Sequence, residues 1–166
     1  MNPYKVVDLK NDPLEDNLFK LELKNDDIIY VNKGSSYIFK NFESKFIPAD
    51  KETSQKLAEA SKNLEDYANF YYGKSVKSLI NIPLKSGKYL FMCNKADYFS
   101  SDKLDDYCKK TILYDYKNNT VTEGPHFLFT PANAGISKLD NDKWLIAGGG
   151  LYKKEHNHSQ ILIDKK

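Results

Sequence analysis

Five residues of this chain have side chains suited to catalysis or metal binding: His126, His156, His158, Cys93 and Cys108. His156 and His158 stand two apart, with Glu155 before them. Alternate residues can chelate a metal from one face of a strand, but this stretch reads as a loop and no Cys or Asp completes a usual ligand set. No metal site and no cofactor are assigned. His126, next to Pro125, is a candidate general acid or base, with nothing nearby in sequence to tune it. The cysteines have no CxxC spacing that would mark a low-pKa thiol. They are expected to approach each other across a hairpin, with Cys93 buried. The run Gly148-Gly149-Gly150 is not a phosphate cradle, because no GxGxxG follows and no helix begins there.

These residues sit in a chain of 166 residues, 40% apolar and 29% charged, with a formal charge of +2. That composition supports a core and excludes a disordered chain. All 25 basic side chains are lysines. Without arginine, the usual reader of phosphates and guanine edges, nucleic acid is excluded as a partner. No apolar run reaches the length of a membrane span, and the first residues lack the basic and apolar regions of an export signal. A soluble, cytoplasmic protein with reduced thiols is expected.

The elements that must position these residues are mostly strands. Aromatic residues reach 13%, with twelve Tyr and nine Phe, which favours pleated, half-buried surfaces. Strand-type runs fall at 4–9, 17–23, 27–32, 36–40, 44–47, 76–82, 89–94, 111–116, 120–123, 135–139, 143–147 and 160–164. Polar turns such as KND, KSG, DYKNNT and DNDK separate them, as in antiparallel hairpins. One segment differs: residues 50–72 carry Leu57, Ala58, Ala60, Leu64, Tyr67 and Ala68 near helical spacing. A helix over about 53–70 is predicted there, capped by Thr53 or Ser54.

The strands recur as a repeat. Residues 85–122 and 140–166 each show a turn, an apolar strand, a polar loop and a second strand ending in an acidic residue, and 24–50 repeats this more faintly. Tyr114-Asp115, Val121 seven residues after the tyrosine, Gly124-Pro125, Ala134-Gly135, the DND turn and Gly148–Gly150 follow in order. In this the chain resembles kelch repeats, the four-stranded blades of galactose-oxidase-like β-propellers. The likeness is specific over about 111–164 and weak before residue 76. It departs from the pattern where Val121 fills the tryptophan position and Cys93-Asn94 replace a glycine pair. In the first copy, Phe39 and Phe46 take the two places seven apart.

The resemblance implies an all-β fold: a kelch-type propeller segment of about three four-stranded antiparallel blades with one inserted helix. Residues 1–12 hold a lone outermost strand, 13–49 the first blade, 50–74 the helical insertion, 75–125 the second blade and 126–166 an incomplete third blade. Since closed propellers need about 4–8 blades, two resolutions are open. Either two copies complete a six-bladed ring by lending each other the first strand, or the chain belongs to a longer propeller.

The long connections fall on one side of such blades, and loops on a rigid scaffold are where binding residues ride. That face carries Tyr71, Tyr72, Tyr98, Phe99, Asp105, Tyr107, His126, Tyr152, His156 and His158, the candidate binding residues. The expected function is a non-catalytic interaction module for a protein or carbohydrate partner. The alternatives are a sugar-directed isomerase or hydrolase on a propeller scaffold, and an inactive remnant of a longer kelch protein. Copper oxidase chemistry, found in one branch of that wider group, needs a Tyr–Cys crosslink and histidines from several blades, which this chain does not show.

Overall fold

Short alternating runs joined by tight polar turns can pair only with their neighbours, and the chain folds as a series of such meanders. The computed structural model describes residues 3–9, 19–32, 35–73, 76–96, 106–150 and 157–165. Strands β1 (Phe19–Glu22), β2 (Ile28–Val31), β3 (Ser36–Lys40) and β4 (Lys45–Pro48) form one antiparallel sheet in chain order. Helix α1 (Lys51–Tyr72) follows. Strands β5 (Val76–Pro83), β6 (Lys88–Ala96), β7 (Ile112–Asp115) and β8 (Thr120–Glu123) make a second four-stranded sheet, and β9 (Gly135–Asp140), β10 (Lys143–Ala147) and β11 (Ser159–Ile163) a three-stranded third. The fold is thus predominantly β with one helix. Two compact units divide the chain, Met1–Ala58 and Glu59–Lys166.

In the first unit, Leu21, Ile29 and Val31 are buried on one face of the sheet, as the register Leu21↔Ile29 requires. Phe39 and Phe46, seven apart in sequence, are directly opposed across β3 and β4, with ring centroids 5.0 Å apart. Asp27 holds the β1–β2 and β3–β4 turns together. It accepts from the Lys40 ammonium (2.5 Å), the Asn41 backbone N–H (3.0 Å) and the Asn25 amide (3.0 Å). The Lys40 hydrogen bond is the main reason its carboxyl lies below the usual carboxylate range.

The second unit has a core shared by its two sheets. Ile82, Leu90 and Met92 are buried, and Ile80, Leu113, Ile136, Trp144 and Leu162 pack on them. Strand β6 is buried on both faces from Tyr89 to Cys93, which explains its near-continuous apolar run. The sheets are also bonded at both ends: the Lys85 N–H donates to Asp164 (2.6 Å) and the Asn133 N–H to the Asn94 carbonyl (2.9 Å). Tyr114 and Val121 are paired across β7 and β8, so the seven-residue spacing is the span of a hairpin here too.

Two sequence expectations are corrected. Residues 4–9 form no strand: Val6 is 97% and Val7 61% exposed. Their apolar alternation suits a strand, but a strand needs an edge to pair with, and no described strand takes them as a neighbour. The helix is capped by Asp50 rather than Thr53 or Ser54. The Asp50 carboxylate accepts from the Thr53 N–H (2.8 Å) and hydroxyl (2.9 Å), so the helix starts at Lys51, two residues earlier than predicted. Leu57, Ala60, Leu64 and Tyr71 form its buried stripe, whereas Ala58 is exposed. No helix among the described residues is long and apolar enough to cross a membrane.

Candidate functional site

Antiparallel order puts the β5–β6, β7–β8 and β9–β10 turns at one end of the second unit and the longer connections at the other. Of the candidate residues, Tyr98, Phe99, Asp105, Tyr152 and His156 lie outside the described residues. Four of the other five lie on three segments, the last turn of α1, residues 106–110 and the 124–134 connection, and the fifth, His158, stands just before β11.

Lys110 is the centre of the site. Its ammonium lies 4.9 Å from the Tyr71 ring centroid and 5.8 Å from that of Tyr107, within cation–π range. Tyr71 also meets Tyr67 at 5.6 Å and Phe70 at 5.7 Å. Burial, and then the Glu123 carboxylate, push the Tyr71 phenol upward, keeping it neutral beside the lysine. Tyr72 turns inward and donates to the Lys110 carbonyl (2.5 Å). Helix end and 106–110 segment are thereby joined through one lysine, by its ammonium and by its backbone. Phe70, against Tyr71, is 83% and Tyr107 43% exposed, so the cluster presents two aromatic surfaces.

His126 stands beside this group. Its Nε2 is 2.9 Å from Glu123 Oε1, and both side chains are about half exposed. The Phe127 N–H donates to the Lys109 carbonyl (2.8 Å), which fixes the 124–134 connection against the 106–110 segment. The Gly124-Pro125 pair is explained locally: a Cβ on Gly124 would collide with the Thr111 side chain, whose hydroxyl donates to the Pro125 carbonyl. His158 is placed on the same end but in another contact, stacked on Phe129 with centroids 4.3 Å apart.

Tyr71 and Tyr72 are therefore buried at 7% and 3% exposure, not open rim residues as their position suggested. A helical stripe brings Tyr71 inward, and Tyr72 follows because its hydroxyl finds a carbonyl. The sequence reading missed Phe70, Lys110 and Glu123. Phe70 lies opposite the apolar stripe, so a helical wheel would have exposed it. Lys110 and Glu123 carry no local signal.

Behind this end, Cys93 and Cys108 are both buried and free, and the two thiols share a hydrogen bond. Burial pushes the Cys93 thiol far upward, so neither the spacing nor the chemistry marks a nucleophile. The glycine run closes the third sheet onto the 130–134 loop. Gly149 has φ +114, and a Cβ there would lie 2.6 Å from the Thr130 carbonyl, while the Gly150 N–H donates to Ala132 (2.9 Å). Close backbone approach is thus the job of these glycines.

Among the described residues, two cavities bordering the second unit stand out. One of about 340 Å³ is lined by Asn63, Asp66 and Tyr67 of α1 with Asn119, Thr120 and Val121. A smaller one of about 110 Å³ lies between residues 125–128 and β11. No group of three potential metal ligands occurs among the described residues. No family model matches the chain, and a search of the curated proteins gives no match either.

Proposed function

We propose that the three sheets are consecutive kelch-type propeller blades. The chain is then a non-catalytic interaction module that takes a protein or carbohydrate partner on its long-loop face, around Phe70, Tyr107 and Lys110. The blade reading is supported by the meander order, by the paired residues Phe39↔Phe46 and Tyr114↔Val121, and by the glycine-mediated packing of the 130–134 loop. One observation carries the functional reading: a lysine in cation–π range of two tyrosines, with Tyr107 exposed and the exposed Phe70 ring against Tyr71. Exposed aromatics with a fixed cation are the composition of binding hot spots and of sugar-stacking surfaces. A reducing, cytoplasmic setting suits the two free thiols.

A glycan array, followed by titration of any ligand found, tests the carbohydrate arm; a two-hybrid screen with the intact chain tests the protein arm. Phe70→Ala and Tyr107→Ala should each weaken the ligand found by about tenfold or more, without changing the fold. Unchanged affinity in both would refute the site.

The His126–Glu123 contact favours a second reading, a sugar-directed isomerase or hydrolase, since a carboxylate beside an imidazole is an acid/base pair. His126→Asn combined with His156→Asn distinguishes the two. Ligand binding retained, with no turnover lost, supports the module; loss of turnover supports the enzyme.

A further inference from the structure

The third sheet is one strand short of the other two among the described residues, and its β11 side is an edge. Hydrogen bonds at the two ends of β11 define which way its backbone groups point. The Asp164 N–H donates to the Asp142 carbonyl, and the His158 carbonyl accepts from the Gly148 N–H. Even-numbered residues of β11 therefore turn their N–H and C=O groups inward to β10. Those of Ser159, Ile161 and Ile163 turn outward, because a strand alternates.

The same residues carry an apolar face. Ile161 is paired with Leu145 and Ile163 with Lys143, so Leu145, Ile161 and Ile163 share the face opposite Trp144. Ile161 is 56% and Ile163 46% exposed, and Leu139 of β9 53%. An apolar edge with unpaired backbone is a template for another strand.

Elsewhere in the chain lies a segment of matching character. Residues 4–9 (YKVVDL) hold β-branched and aromatic residues, enough to span the five residues of β11, yet they form no strand and expose Val6 and Val7. We infer that residues 4–9 of one copy add as a fourth strand to the β11 edge of a second copy, and reciprocally. Each chain then has one donor segment and one acceptor edge. Exchange between two copies uses both and closes with twofold symmetry, leaving neither edge open. The occupant is a second copy of this chain, and the inference stands independently of the ligand-binding face.

Solution mass by light scattering should give twice the 19.1 kDa chain mass, and Val7→Asp or Ile161→Asp should weaken the dimer at least tenfold. Both positions are exposed, so far-UV circular dichroism of each variant should match the parent. Mixing a Val7→Cys chain with an Ile161→Cys chain and adding a short bismaleimide should give a covalent dimer that neither chain gives alone. The native cysteines are buried and stay silent. A monomer at micromolar concentration overturns the inference. So does a dimer unaffected by both aspartates, or a doubly substituted chain that crosslinks only within itself.

Discussion

Asp27 shows how much one carboxylate can organise. Three donors converge on it from two turns, and its lowered pKa makes the stability it contributes pH-dependent. For a carboxyl whose folded pKa lies below the unfolded one, that stability is fully present above the unfolded value of about 4. It is lost as the pH falls through the folded value. Thermal unfolding followed from pH 7 to pH 2 should therefore show a loss below about pH 4 that Asp27→Asn reduces. Tyr72 is a different case. Tyr72→Phe keeps the ring but leaves the Lys110 carbonyl without its donor, which should cost about 1–3 kcal/mol in urea unfolding. The cysteines behave as core residues: Ellman's reagent should leave both thiols unlabelled in the native protein and label both in denaturant, since both are buried out of the reagent's reach.

At the scale of elements, the hairpin is the unit that repeats. The β3–β4 and β7–β8 hairpins each place residues seven apart directly opposite each other, so Phe39 meets Phe46 and Tyr114 meets Val121. The Tyr114 hydroxyl also donates to Asn119 (2.9 Å), which occupies the turn at φ +54, a conformation that Asn tolerates better than most residues. The helix obeys its stripe but not its expected cap, and its final turn supplies half of the aromatic cluster. The glycine run is the sharpest element-level test. Gly149→Ala meets both a left-handed φ and the Thr130 carbonyl. It should destabilise the protein by about 1–3 kcal/mol, measured as a lower urea midpoint.

For the whole molecule, stability must be read unit by unit. Trp144, the single tryptophan, packs against the core shared by the second and third sheets. Its fluorescence therefore reports the unit Glu59–Lys166. Met92→Ala empties part of that core and should lower stability by about 2–5 kcal/mol, seen as an earlier fluorescence transition. The β11 edge, unpaired among the described residues, belongs to the same scale, because an unpaired apolar edge must be covered by some strand or risk uncontrolled association.

The sequence by itself determined the strands, their hairpin partners and the helix. Each is set by local alternation, turn chemistry or 3.6-residue spacing, and eleven of the twelve strand-type runs are strands. It also placed the long connections at one end, since that follows from strand direction alone. Only the tertiary structure decided which of those residues are open. Tyr71 and Tyr72 were drawn inward by Lys110, a partner 38 or 39 positions away, while Phe70 was left outside. Residues 4–9 have the composition of a strand but not the outcome, because pairing depends on an edge elsewhere. Local patterns state what a segment can become; burial and pairing depend on which other segment arrives beside it.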